Sequence, residues 1–448
     1  MTPFGKLKRD FAGKKVLIFG LGVLGRGADV AKLFVEIGAK VTATDIKTAP
    51  KLGPSLKRLR GLPISYILGR HRAEDIVNTD VIIRNPGVPW NHHLLERARQ
   101  VGIPVLMDTA LFMRYFEGTS VGITGTRGKT TTTLLIRALL STGNRTVFLA
   151  GNATRKANCR LLTHSSQSLA VMELSSWELQ GFRDERRSPN IAVVTNLYAD
   201  HLNTYKSMEE YAADKETIFL FQNKRETVIL NRENPYTKKM AERVRSVVRW
   251  FSKEDFASSW KLPLRGAHNF ENAAAALKVA DLFGVPKDIE ARVFAGFSAV
   301  EHRLETVGRY RGIEFVNDTT ATTPIATIKA LQAINQPTIL LVGGNSKNLP
   351  LEELPGEIEK HVKAVVILKG TGSRLLVKAL KPWKDLKVYY PSAFDQAVRT
   401  AIKLASPGDV VLLSPAFTSF AEFSNEFERG ERFNSLVKGL TKRKEREK

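Results

Sequence analysis

Hydrophobic positions in this chain are grouped on a repeated plan: a short, almost unbroken apolar run, a glycine-rich or polar break, then a longer stretch of mixed character. Lys15 to Phe19 is the first such run. It breaks at Gly20 and is followed by an amphipathic stretch to about Ile37 and a second run, Lys40 to Thr44, ending at Asp45. Similar runs occur at Val81 to Ile83, Val121 to Thr124, Leu169 to Met172 and Ile191 to Val194, and again at Glu314 to Val316, Thr338 to Val342, Ala364 to Leu368 and Val410 to Leu413. Apolar runs of four or five residues suit strands buried on both faces, and the intervening amphipathic stretches suit crossover helices. The pattern therefore predicts an α/β chain built on mostly parallel sheets. Two helices are predicted where chemistry is also expected: Met208 to Leu220, which carries Lys215, and an alanine-rich helix opened by His268-Asn269-Phe270-Glu271-Asn272.

The polar breaks after the runs carry more chemistry than the runs themselves. The first run passes into Gly20-Leu21-Gly22-Val23-Leu24-Gly25, with Asp45 about twenty residues further on, the arrangement of a Rossmann-like unit that seats a pyrophosphate on a tight turn and a helix N-terminus. Taken alone it would suit NAD as well as any nucleotide diphosphate. A later strand leads into Asn85-Pro86-Gly87-Val88, a loop at a carboxyl end where such sheets bind ligands. Val121 to Thr124 runs into Gly125-Thr126-Arg127-Gly128-Lys129-Thr130-Thr131 and then into an apolar helix. This is a phosphate loop: backbone N–H groups turn onto the phosphates, Lys129 spans the outer ones and the Thr130 hydroxyl is placed for Mg²⁺. It is a variant, because Ile123 stands where the longer motif has its first glycine. Two further strands end in Glu173 and in Asn196 to Asp200-His201, which offer ligands suited to Mg²⁺.

Length and composition frame these motifs. With 448 residues, 43% of them hydrophobic, three domains are expected: an N-terminal Rossmann-like domain over 1–117, a central P-loop ATPase-type parallel sheet over 118–299 and a C-terminal Rossmann-like domain over 300–448. No apolar run approaches the ~18 residues of a membrane span. The single cysteine, Cys159, excludes an intramolecular disulfide and a cysteine-cluster metal site and suits a reducing cytoplasm. The formal charge of +23 favours anionic partners. The basic residues are scattered and form no aromatic-interleaved stripe, so no nucleic-acid partner is expected.

The ordered set of motifs resembles the Mur ligase family: Gly122 to Thr130, Glu173-Leu174-Ser175-Ser176, Asn196 through Asp200-His201, Lys215, His268-Asn269 with Asn272, His302-Arg303, Asn317-Asp318, Gly343-Gly344 with Lys347, and Leu413-Ser414-Pro415 with Ser419 and Phe423. The resemblance spans nearly the whole chain and is strongest to the members that add D-glutamate to UDP-N-acetylmuramoyl-L-alanine. It implies a cytoplasmic, monomeric, ATP-dependent amide ligase in peptidoglycan precursor synthesis, working through an acyl phosphate with two Mg²⁺ ions. By resemblance, Lys129, Glu173, His201 and Lys215 are the catalytic set, with Thr130, Glu173, His201 and a carbamylated Lys215 around the metals. Gly125, Thr126, Arg127, Gly128, Lys129, Thr130 and Thr131, with Asn269, Asn272, Arg303 and Asp318, would hold ATP. Gly22, Val23, Leu24, Asp45, Ile46, Lys47, Gly87, Asn152 and His201 would hold the UDP-sugar. Thr322, Lys347, Ser419 and Phe423 would hold the incoming amino acid, and closure of the third domain would complete the site.

The departures from that pattern cluster at the amino acid. Thr320 stands where the D-glutamate enzymes carry a lysine, and Ala421 where an acid is common. A threonine hydroxyl offers a carboxylate roughly half of what a charge-assisted contact would. Ala153-Thr154-Arg155-Lys156 replaces an Ile-Gly continuation with two cations, which predicts extra contact with the UDP-sugar. Related ligases adding L-alanine or a diamino acid share the phosphate loop, as does folylpolyglutamate synthase. A nucleic-acid-stimulated ATPase would leave the third segment unexplained, and an inert UDP-sugar sensor would not need Lys129, Glu173 and His201.

Overall fold

The computed structural model describes every residue except 144, 155, 164–167, 202–203, 299, 382–384 and 447–448, and leaves the side chains of 441–446 undescribed. Its strands form three sheets. The chain divides into two compact units.

The first unit comprises Met1–Leu197, Glu209–Asp255 and Asn272–Glu290 and contains two sheets. One is formed by β1 (Lys15–Phe19), β2 (Lys40–Asp45), β3 (Ile64–Leu68), β4 (Val81–Arg84) and β5 (Val105–Leu106), in the order β3-β2-β1-β4-β5 with every pairing parallel. The chain switches direction across this sheet between β1 and β4, and in such folds the crevice beyond the strand ends at the switch is where ligands bind. The other sheet is formed by β6 (Thr119–Thr124), β7 (Val147–Gly151), β8 (Leu169–Glu173), β9 (Ile191–Val194), β10 (Thr227–Asn231) and β11 (Val247–Phe251), ordered β11-β10-β9-β6-β8-β7 and again all parallel. The central strands β6, β8 and β9 are buried almost throughout, as their apolar runs require. Strands β3 and β11 escape the hydrophobic pattern because they lie at sheet edges and expose part of their length.

The second unit comprises Tyr198–Met208, Phe256–Glu271 and Ala291–Lys448. Its sheet is formed by β12 (Glu305–Tyr310), β13 (Ile313–Asn317), β14 (Thr338–Val342), β15 (Val362–Ile367), β16 (Lys387–Tyr389) and β17 (Val410–Leu413), ordered β12-β13-β17-β14-β15-β16. Successive residues of β14 enter opposite layers: Leu340 and Val342 pack in one apolar cluster with Val316 and Leu412, Ile339 and Leu341 in another with Phe315 and Leu413. Each fully buried aliphatic side chain of this kind contributes about 1.5–3 kcal/mol, so both faces must stay covered. β12 is antiparallel to β13, which the pattern of apolar runs does not anticipate. Arg311 and Gly312 turn the chain between them with φ of +51° and +77°, a two-residue hairpin of the type whose twist matches its strands. Glu314, a charged residue inside a strand, is buried but paired with Arg265 and bonded by the Thr306 hydroxyl at 2.8 Å.

Candidate active site

In the first unit, β6 delivers the phosphate loop at its carboxyl end. Gly125 and Gly128 have φ of +146° and +82°, and Gly128 caps the helix Lys129–Leu140. The loop is anchored by the end of β9: Asn196 accepts from the Thr126 N–H on its carbonyl and from the Arg127 N–H on its side chain, both at 2.9 Å, and the Thr195 hydroxyl donates to the Arg127 carbonyl at 2.6 Å. The Lys129 ammonium donates to the Gly125 and Thr126 carbonyls at 2.9 and 3.2 Å. Lys215 reaches the same Gly125 carbonyl at 3.1 Å from the helix Met208–Leu220. Read as a single residue on a helix, Lys215 belongs on the surface; in the fold it is 1% exposed, with its ammonium 4.7 Å from the centre of the Tyr211 ring. Two cations thus converge on one carbonyl oxygen at the mouth of the phosphate seat. Asn272 packs against the loop too, close enough that a β-carbon on Gly128 would meet its side-chain oxygen. Glu173 ends β8, the neighbour of β6, and its carbonyl accepts from the Asn152 N–H at 2.7 Å. Thr130 is the second residue of the loop's helix, so its hydroxyl and the Glu173 carboxylate are hard oxygen donors that this unit brings to the ends of adjacent strands, a donor set that fits Mg²⁺.

The same unit holds the second glycine loop. Gly20, Gly22 and Gly25 all have positive φ. The Asp45 carboxylate accepts from the Gly22 and Lys47 N–H groups, each at 2.8 Å, so it braces the loop from the end of β2. Asn85 packs against Gly20 and Gly22, and its side chain bonds the Gly87 N–H at 3.1 Å. Leu24 and Ile46 are exposed apolar residues on this rim; Val23 lies between Gly22 and Leu24. Gly27 was not singled out by the motif, yet a β-carbon there would sit 2.1 Å from the Leu21 carbonyl oxygen, which makes it the position of close helix approach. His71 stacks on Phe19 at 4.0 Å and bonds the Thr44 hydroxyl at 2.8 Å. Burial, with His92 nearby, pushes its imidazole down to about 4. Arg155, of the pair predicted to add contacts here, lies outside the described residues.

In the second unit, the ends of three adjacent strands gather the polar residues. Asp318, just past β13, accepts from the Ser414 hydroxyl past β17 at 2.9 Å and from the Leu304 N–H at 3.2 Å. Gly343 comes directly after β14 and donates to the Pro415 carbonyl at 2.8 Å. Lys347 reaches Asp200 at 3.2 Å and the Thr322 hydroxyl at 3.4 Å, and the Asp200 carboxylate also accepts from the His201 N–H at 2.8 Å. His201 itself is held at a φ of +56°. Thr320 turns its hydroxyl to the His302 carbonyl at 3.0 Å. Its side chain is therefore committed to the fold. A small cleft is lined by Gly343, Gly344, Lys369, Ser419 and Phe423. The Ser419 hydroxyl is buried there with no hydrogen-bond partner among the described residues. Arg429 also lines it, 2% exposed, donating to the Thr319 and Phe417 carbonyls, and burial pushes its guanidinium down to about 10. Sequence reasoning missed Arg429, since an arginine near the start of a highly charged helix reads as a surface residue. His268 begins its helix beside Asn269, which donates to the Arg265 carbonyl at 2.7 Å. Its imidazole is pushed down to about 4, first by burial and then by the charges of Lys329 and Arg303.

A phosphate loop on one parallel sheet, a diphosphate-type glycine loop on another and a third sheet of polar strand ends define a nucleotide-dependent group-transfer protein. Residues 14–107 match the MurD-like N-terminal domain of Mur ligases, 123–262 the Mur ligase middle domain and 302–417 the Mur ligase glutamate ligase domain. The chain is 39% identical over 467 residues to the UDP-N-acetylmuramoylalanine–D-glutamate ligase of Roseiflexus sp. (strain RS-1), covering 96% of this chain and all of that one. It is 32% identical to the enzyme of the same name from Caldanaerobacter subterraneus subsp. tengcongensis, with 95% and 98% covered. The chain belongs to the Mur ligase family. In fold it is similar to the UDP-N-acetylmuramate-alanine ligase of Thermotoga maritima, with a TM-score of 0.63 at 19% identity over 95% of this chain and 99% of that one. Among the described residues no helix is long and apolar enough to cross a membrane.

Proposed function

We propose that this chain is an ATP-dependent ligase that joins D-glutamate to UDP-N-acetylmuramoyl-L-alanine, as a cytoplasmic monomer in peptidoglycan precursor synthesis. The observation that carries the reaction type is the convergence of Lys129 and Lys215 on the Gly125 carbonyl; the named activity of the full-length relatives supports the choice of substrates. The alanyl carboxylate of the UDP-sugar attacks the γ-phosphorus of ATP, the bond to the bridging oxygen breaks and ADP leaves with that electron pair. The amine of the amino acid then attacks the acyl carbon, phosphate departs and the amine loses its proton. Phosphoryl transfer of this kind is mainly positioning and charge neutralisation, which the loop's N–H groups and Lys129 supply. Thr130 and Glu173 would hold Mg²⁺, which when bound neutralises phosphate charge; a carbamylated Lys215 is proposed as a further metal ligand in the same unit.

Two ammonium groups at one carbonyl repel each other, and carbamylation of Lys215 would relieve this: its neutral amine adds to CO₂, a C–N bond forms, a proton leaves and the cation becomes an anion. The UDP diphosphate is assigned to the Gly20–Gly25 loop with Asp45, and the amino acid to Lys347, Thr322 and Ser419. Because the Thr320 hydroxyl is engaged by His302, the charged contact to the substrate carboxylate falls to Lys347. Replacing it, Lys347→Ala, is expected to raise the KM for D-glutamate about 10–100-fold, the worth of one charged hydrogen bond, with the KM for ATP unchanged in steady-state assays. The test of the whole reading is phosphate release with ATP and UDP-N-acetylmuramoyl-L-alanine against a panel of D- and L-amino acids. Turnover with D-glutamate alone is expected; turnover only with L-glutamate, L-alanine or a basic amino acid would reject it.

A further inference from the structure

Arg26 is the first residue of the helix Arg26–Glu36, immediately after Gly25. A cation at a helix N-terminus opposes the helix dipole, so its place calls for another explanation. Its guanidinium makes three contacts on elements remote in sequence. One amino group lies 2.7 Å from the Glu178 carboxylate, with the two side chains 12% and 0% exposed. The other donates to the carbonyl of Gly151 and, at 2.9 Å, to that of Thr154. Glu178 in turn accepts from the Thr109 hydroxyl at 3.0 Å and closes the capping box with Ser175 at the start of the helix Ser176–Asp184, which comes after β8 and Glu173. Three residues along from Arg26, Asp29 accepts from the Ala157 N–H at 2.8 Å and pairs with Arg160. The face of this helix is therefore stitched to the Gly151–Ala157 segment.

We propose that Arg26 is a positioning residue that clamps two substrate loops at a fixed separation: the diphosphate loop Gly20–Gly25 and the Gly151–Thr154 loop. The inference rests on the assignment of the UDP-sugar to these loops. A forked guanidinium suits the task because it can serve a carboxylate and two carbonyls at once, whereas lysine presents a point charge. Glu178 holds the fork from the helix behind Glu173, so the sugar-side clamp and the metal-side strand share one buried ion pair. Small shifts in such a clamp are felt as lost substrate alignment.

The test uses the full-length enzyme and two variants, Arg26→Met and the double variant Arg26→Met with Glu178→Gln. The single variant strands the Glu178 charge, so its thermal midpoint should fall; the double variant removes both charges, keeps an oxygen for the capping box and should recover the midpoint. Both are expected to show a KM for UDP-N-acetylmuramoyl-L-alanine raised about 10–100-fold, with the KM for ATP within about twofold of wild type. A double variant with wild-type KM would make Arg26 a structural strut and overturn the proposal, as would an Arg26→Met enzyme whose sugar-nucleotide KM is unchanged. Wild-type enzyme that shows no saturation by the UDP-sugar and no competition by UDP would instead overturn the loop assignment itself, a result visible before either variant is made.

Discussion

Replacing Lys215 by alanine is expected to lower kcat about 10²–10³-fold, the usual effect of removing one preorganised charge from a reacting site. The side chain is buried, its ammonium lies on the Gly125 carbonyl at 3.1 Å, and Lys129 meets that same oxygen at 2.9 Å. Two outcomes separate the carbamate from the ammonium. If the working group is the carbamate, a small carboxylate can enter the space left by the lost side chain, so acetate or bicarbonate should restore part of the activity to Lys215→Ala. Lys215→Met, which keeps the stem over Tyr211, should be equally inactive but resist rescue because the space stays filled. Inactive Lys215→Ala that no carboxylate restores, with an unchanged thermal midpoint, would leave Lys215 acting as an ammonium and remove carbamylation from the mechanism.

Gly125→Ala is expected to abolish ATP binding while leaving UDP-sugar binding intact. At φ +146° the backbone lies where L side chains are strained, at a cost of about 1–3 kcal/mol. Space forbids the residue as well. A β-carbon would sit 1.9 Å from the Thr195 hydroxyl oxygen and 3.1–3.2 Å from backbone atoms of Asn196. Those neighbours cannot yield without damage, since the same hydroxyl holds the Arg127 carbonyl and Asn196 holds the N–H groups of Thr126 and Arg127. The phosphate seat would open, and both lysines would lose the oriented Gly125 carbonyl. Nucleotide titration should show ATP affinity down at least ~100-fold, the scale on which losing even one preorganised oxyanion-type donor is felt. Gly143→Ala, where a β-carbon meets open space, serves as the control. Retention of near-wild-type ATP affinity would show that the loop can rebuild itself around the added methyl.

The parts of the site legible in the sequence are those whose chemistry is local. Gly125, Gly128, Lys129 and Thr130 are read together because one turn and one helix N-terminus impose their spacing, and the fold presents them so. The glycines at 20, 22 and 25 are legible for the same reason. Lys215 and Arg429 were not read as buried groups: Tyr211, Ile218 and Phe219 share a helix face with Lys215, and Phe433 lies one turn past Arg429, but apolar neighbours alone do not say what a buried cation would bond. Their surroundings come from β6 for Lys215 and from the segments after β13 and β17 for Arg429. Thr320 shows the converse. Its sequence context suggested a weakened carboxylate contact, but a hydrogen bond to His302, 18 residues away, had already claimed its hydroxyl.

By itself the sequence determined the parallel α/β build, the two phosphate-type loops and the family, because buried strands must be continuously apolar and phosphate loops must place glycines at set intervals. Only the tertiary structure decided which charges meet. Lys129 with Lys215 at Gly125, Arg26 with Glu178 and the Gly151 loop, and Lys347 with Asp200 each join residues carried by different elements. Long-range pairing depends on how sheets and helices pack, and a side chain's charge carries no record in sequence of the partner that packing will bring to it.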